Sequence, residues 1–160
     1  MTNNIEIITK TIANSSIGIS GKVKDFLKNT SDFDLNLEKG VVYEKVGDIE
    51  YSAIPSLFYG IENILHNYEY PTLADQEKER KYFLPFAEDI SGRNLFFICL
   101  KKTDFGKIIF HEADYLFDET FKQGTWVISH SITQFLSQLI QLNPDKPETT
   151  KIQEILKRIL

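Results

Sequence analysis

Leu95-Phe96-Phe97-Ile98-Cys99-Leu100 is the stretch on which the fold turns: six apolar residues in succession, with the Ser91-Gly92 turn before it and Lys101-Lys102 after it. A strand with one wet face alternates apolar and polar residues, so an unbroken run of this length reads as an inner strand covered on both faces. Its neighbours follow the same logic. Tyr82–Ala87 and Lys107–Glu112 are rich in aromatic and β-branched residues, and hairpin-length connections set them beside the central run as antiparallel partners.

Covered faces require helices, and the flanking sequence supplies them. Ser131 followed by Gln134 is a capping-box pattern, in which side chains satisfy the N–H groups left free at a helix start. Behind it Ile132, Phe135, Leu136, Leu139 and Ile140 form one apolar stripe, and Asn143-Pro144 stops it. Pro147 opens a last helix with the stripe Ile152, Ile155, Leu156 and Ile159, where Lys157 and Arg158 suit the C-terminal dipole.

Toward the N-terminus, Val41, Val42, Tyr43 and Val46, the Gly47-Asp48 break, then Ile49, Tyr51 and Ile54 read as a tight hairpin. Phe33, Leu35 and Leu37 alternate as an extended edge segment. Ile61, Ile64, Leu65 and Tyr68 predict a helix that Pro71 stops, and Gln76–Lys81 is read as a solvated connector. Val23, Phe26 and Leu27 predict another helix, as do Ile5, Ile8 and Ile12 in a short piece ended by Asn14-Ser15-Ser16 and Gly18. Strands joined by short turns and followed by helices give an α+β fold, a mainly antiparallel sheet with helices packed on one side, in a single domain over residues 1–160.

With 160 residues the chain can bury a full core without disulfides or metal. Its 18 Lys+Arg against 23 Asp+Glu give a net charge of -5, which repels nucleic acid and anionic membranes and attracts basic partners. Cys99 is the only cysteine, so there is no internal disulfide and no multi-cysteine zinc site. Met1–Ser20 lack a basic segment followed by a long apolar core, and no apolar run approaches the roughly 20 residues of a membrane span. The expectation is a cytoplasmic protein.

The residues of chemistry each have a plainer reading. Ser129-His130-Ser131 lies side by side in sequence, which does not place hydroxyl and imidazole face to face, and Ser131 serves better as a cap. His111-Glu112-Ala113-Asp114 lacks the second histidine of a zincin helix and the oxygen spacing of a calcium loop. Cys99, between Ile98 and Leu100, reads as a small buried hydrophobe. Gly18 and Gly21 lack the lysine-bearing pattern of a phosphate loop. No catalytic, cofactor or metal residues are therefore assigned.

Acidic residues at the turns are the surface candidates: Asp48 and Glu50 by the first hairpin, Glu88 and Asp89 after the Tyr82–Ala87 strand, Asp104 in the next turn, and Asp114, Asp118 and Glu119 before Trp126. Charged loops are ordinary in soluble domains. If these converge, they attract a cationic surface, with Tyr51 and Trp126 as aromatic anchors. Trp126 is expected buried near the sheet edge rather than as an exposed anchor.

Leu84-Pro85-Phe86-Ala87 with Asp89, then Gly92, then Gly106 with Phe110 and His111, then Ser131, Ile132, Phe135 and Leu136 occur in one continuous register that resembles the SMI1/KNR4 family of the SUKH superfamily. The chain departs from that pattern with Ile17-Gly18-Ile19-Ser20 before its first predicted long helix, with only Lys39-Gly40 after it, and with Ile132 in place of an aromatic. Bacterial members of the family are mostly immunity proteins. The resemblance thus implies a non-enzymatic protein, without cofactor, that binds a cognate toxin protein with a basic cleft and occludes its active site. A regulatory scaffold or adaptor, like eukaryotic relatives, is the alternative; a small hydrolase or nuclease whose site no motif marks, with His111 and His130 as the residues to test, is the third.

Overall fold

The computed structural model describes residues 21–69, 82–115 and 123–160. In chain order they form α1 (Gly21–Asn29), β1 (Phe33–Asp34), β2 (Val41–Val46), β3 (Ile49–Ala53), β4 (Pro55–Phe58), α2 (Ile61–Glu69), β5 (Phe83–Asp89), β6 (Leu95–Cys99), β7 (Ile108–His111), β8 (Thr125–Ser129), α3 (Ile132–Leu142) and α4 (Thr149–Ile159). Six strands make one sheet in the order β1-β4-β5-β6-β7-β8, and β2 and β3 pair as a separate hairpin. Every ladder is antiparallel. The fold is α+β, with the four helices packed against the sheet.

β6 occupies the interior, and all five of its residues are buried, because an uninterrupted apolar run is stable only where both sheet faces are covered. The core is aromatic. Phe86 meets the rings of Phe26, Phe58, Phe96 and Phe135 at centroid distances of 5.7, 6.0, 6.4 and 5.9 Å, joining α1, the sheet and α3. These approaches are edge-on, which sets the positive ring edge against the negative ring face. α1, α3 and α4 contact one another in one layer, while α2 packs on β5.

Helix α3 begins as its sequence predicts. The Ser131 hydroxyl accepts the Gln134 N–H at 3.1 Å, and the Gln134 side chain reaches back to accept the His130 N–H at 2.7 Å, one residue earlier than a standard box. At the other end Asn143 does more than stop the helix. Its Oδ1 accepts the N–H groups of Glu38 and Lys39 at 2.9 and 3.0 Å, and its Nδ2 donates to the carbonyls of Lys39 and Leu139 at 2.8 and 3.0 Å. One buried amide thus closes the helix and clamps the segment that leads into the hairpin.

Two strands lie where none was expected. β4 (Pro55–Phe58) follows β3 after a break at Ile54, so the run from Ile49 to Ile54 does not continue as one strand, and β8 (Thr125–Ser129) forms a sheet edge through Trp126. β4 escapes notice because it is four residues long and opens on Pro55, which gives up a ladder donor. The Ile5, Ile8, Ile12 helix, the Pro71 stop, the Gln76–Lys81 connector, Asp118 and Glu119 lie outside the described residues.

Candidate protein-binding rim

An antiparallel meander sends successive turns to alternate ends of its sheet. Glu88 pairs with Leu95, Leu95 with His111, His111 with Thr125, and Pro55 with Asp89, so one end gathers the β5–β6 turn, the segment after β7 and the entry to β4. The β2–β3 hairpin enters β4 through Ile54 and belongs to this end. The Lys102–Asp104 turn, between β6 and β7, lies at the opposite end. Asp104 is therefore separated from the other acidic candidates. Its carboxylate is bound 2.7 Å from the Lys107 ammonium, and that bond holds its pKa below the usual carboxylate value.

The hairpin is rooted by three side chains. Val41 and Ala53 are buried in the core. Between Val42 and Glu44 the register shifts, and this bulge turns Tyr43 toward Trp126 and Phe110, at ring distances of 4.6 and 4.9 Å. The Tyr43 hydroxyl donates to Glu112 Oε1 at 2.6 Å. Burial, then the Glu112 carboxylate, push the Tyr43 pKa far up. Trp126, half-buried on edge strand β8, is thereby covered by Tyr43 and supports the hairpin.

Beyond that root the hairpin projects. Val46 and Ile49 pair across the Gly47-Asp48 turn and are 56% and 58% exposed, and Tyr51 is 43% exposed. Asp48 stands at the tip, Glu50 makes an exposed pair with Lys45 at 3.2 Å, and Gly47 takes a positive φ of 62°, the left-handed region a tight turn needs. On the β5–β6 turn Ile90 is 92% exposed.

Glu88 and Asp89 have internal duties. Burial, then the Glu88 carboxylate that bonds the Tyr59 hydroxyl, push the Tyr59 pKa far up. Asp89 accepts from Ser91 N–H and Ser91 hydroxyl at 3.0 and 2.6 Å and from Asn94 Nδ2 at 2.7 Å, so it builds the turn that displays Ile90. Asn94 Oδ1 accepts the Ala113 N–H at 2.9 Å and ties that turn to the segment after β7. Over residues 41–53, 88–94 and 112–115 there are seven carboxylates, from Glu44, Asp48, Glu50, Glu88, Asp89, Glu112 and Asp114. The cations there are Lys45 and Arg93, each in an ion pair, the latter with Asp114 at 2.7 Å.

The structure therefore brings Asp48, Glu50, Tyr51, Glu88 and Asp89 to one end of the sheet and puts Trp126 beneath the hairpin that carries three of them. Val46, Ile49 and Ile90 are the residues that sequence reading missed as surface groups. A signal existed: each is a large aliphatic side chain within one residue of a tight turn, where the chain reverses beyond the reach of a core.

The remaining constellations disperse. His111 is buried with Nδ1 3.0 Å from Thr125 Oγ1, Glu112 holds Tyr43, and Asp114 holds Arg93, so the three side chains turn to separate partners. Ser129 bonds Gln138 and Ser131 caps α3. Burial pushes the Cys99 thiol up. Among the described residues no group of three His, Cys, Asp or Glu side chains is placed to hold a metal ion, and no helix is long and apolar enough to cross a membrane. Compared with known proteins, the chain matches no family model, and the searches of curated proteins and of solved structures returned no match.

Proposed function

We propose that this chain is a non-enzymatic immunity protein that binds a cognate toxin in the cytoplasm and occludes its active site. The carrying observation is the rim at one end of the sheet, where exposed Val46, Ile49, Tyr51 and Ile90 stand among carboxylates that outnumber the local cations. Exposed apolar side chains ringed by charge suit a protein interface, in which a desolvated centre supplies affinity and a charged surround speeds encounter. The resemblance of Leu84-Pro85-Phe86-Ala87 with Asp89, of Gly92, of Gly106 with Phe110 and His111, and of Ser131, Ile132, Phe135 and Leu136 to the SMI1/KNR4 pattern supports the same reading. The net charge of -5 favours a toxin with a basic cleft over nucleic acid or an anionic membrane as the direct partner.

Co-expression with the toxin encoded by the adjoining gene tests this. Growth is rescued, and the purified pair forms a complex whose association slows as salt is raised. Absence of both rescue and a calorimetric complex refutes the proposal. A complex with housekeeping or signalling proteins alone favours the adaptor reading instead.

A further inference from the structure

We infer that the β2–β3 hairpin is an insertion element, a prong that enters a cleft with cationic walls and an apolar floor on the partner protein. The inference rests on the function proposed above and goes beyond it by naming which part of the rim enters, and how its direction is set. The hairpin changes character along its length. At the root Val41 and Ala53 are buried; at the tip Val46 and Ile49 stand opposite each other and exposed. From Tyr43 to Val46 a strand advances about 10 Å at ~3.4 Å per residue, which is the depth of cleft the prong can fill. Glu44, Asp48 and Glu50 line it, and Lys45 is already paired to Glu50, so the prong carries net negative charge toward the cationic walls.

A prong that hinges would lose binding free energy to ordering, and here the direction is fixed. Tyr43, turned inward by the bulge, packs on Trp126 and Phe110 and bonds Glu112, while Asn143 clamps Glu38 and Lys39 just before β2. Tyr43 acts as a positioning residue and need not touch the partner.

The test uses the full chain and the purified catalytic domain of the toxin from which it rescues growth, titrated by calorimetry. Ile49→Asp and Val46→Asp alter exposed side chains, so the melting temperature stays near the parent value, and affinity falls about thirtyfold or more, as for interface hot spots. Ile90→Asp, on the same rim but off the hairpin, weakens binding by less than either tip variant does. Tyr43→Phe keeps the ring packing, loses the Glu112 bond, and weakens binding through a less favourable entropy; restraining the hairpin by a short engineered cross-link restores it. Retention of affinity by both tip variants, or greater damage from Ile90→Asp, overturns insertion while leaving the immunity function intact. Failure of the parent chain to bind the toxin domain removes both.

Discussion

Replacing Asn143 tests whether one amide holds the hairpin to the helical layer. Asn143 is 3% exposed and makes four hydrogen bonds, two from the N–H groups of Glu38 and Lys39 and two to the carbonyls of Lys39 and Leu139. Each such bond contributes about 0.5–1.5 kcal/mol net. Glu38 and Lys39 are exposed, so their backbone regains water in Asn143→Ala and the lower part of that range applies. The expected loss is about 2–3 kcal/mol, or about 5–10 °C in melting temperature for a chain of this size. Asn143→Asp separates the donor from the acceptor role. The carboxylate still accepts from Glu38 and Lys39, but where the amide donated it now sets an oxygen against two carbonyls, at the negative end of the α3 dipole. At pH 7 it is at least as unstable as the alanine variant. Repulsion by those carbonyls and the dipole raises the folded-state pKa of the new carboxyl above its unfolded value, so the penalty is full above the folded pKa and shrinks as pH falls through it. Urea unfolding at pH 7 and at pH 4, with the parent chain beside it, reads both effects. An alanine variant within about 0.5 kcal/mol of the parent would refute the clamp, since four lost bonds cannot cost so little; an aspartate variant more stable than alanine at pH 7 would refute the donor role.

Three further outcomes follow from the same structure. Ser131→Ala removes the acceptor for the Gln134 N–H and costs about 1 kcal/mol in urea unfolding, the usual loss for an N-cap. Gly40→Ala places a Cβ 1.9 Å from the Ala53 carbonyl oxygen and 2.5 Å from its carbon, both backbone, so the hairpin root must shift; a loss of about 1–3 kcal/mol or more is expected, with amide NMR shifts concentrated in residues 38–55. Tyr43 and Tyr59 have pKa values raised by burial and by Glu112 and Glu88, so their contribution to stability is complete below the unfolded tyrosine value near ~10 and is lost as pH rises toward the folded ones. In an absorbance titration Tyr43 and Tyr59 then ionise late, above the unfolded tyrosine value, and the double Phe variant loses that late step.

The fold is legible where one physical requirement dominates. Leu95–Cys99 needs cover on both faces, and Ser131 with Gln134 needs no tertiary context to start a helix. β4 and β8 are harder, because a four-residue strand opening on Pro55, and an edge strand through Trp126 that is half wet, carry little periodicity of their own. The acidic turn residues were legible as a set, but only strand pairing sorts them by end: Asp104 falls opposite Asp89 because one further antiparallel crossing separates their turns. Val46, Ile49 and Ile90 look like core residues by composition, and only the position of the hairpin beyond its root shows that nothing in the described chain covers them. Asn143 read as a helix stop; its second duty depends on partners more than a hundred positions away in sequence.

The β2–β3 hairpin shares no ladder with the six-stranded sheet among the described residues, so its amides are expected to exchange as a unit of their own. Its opening has to release Val41, Tyr43 and Ala53 from their packing and break the Tyr43–Glu112 bond and the Asn143 clamp, whereas exposing the amides of β6 requires dismantling ladders on both sides. Deuterium therefore enters Val41–Ala53 well before Leu95–Cys99, so a bound partner registers as selective slowing of the faster set.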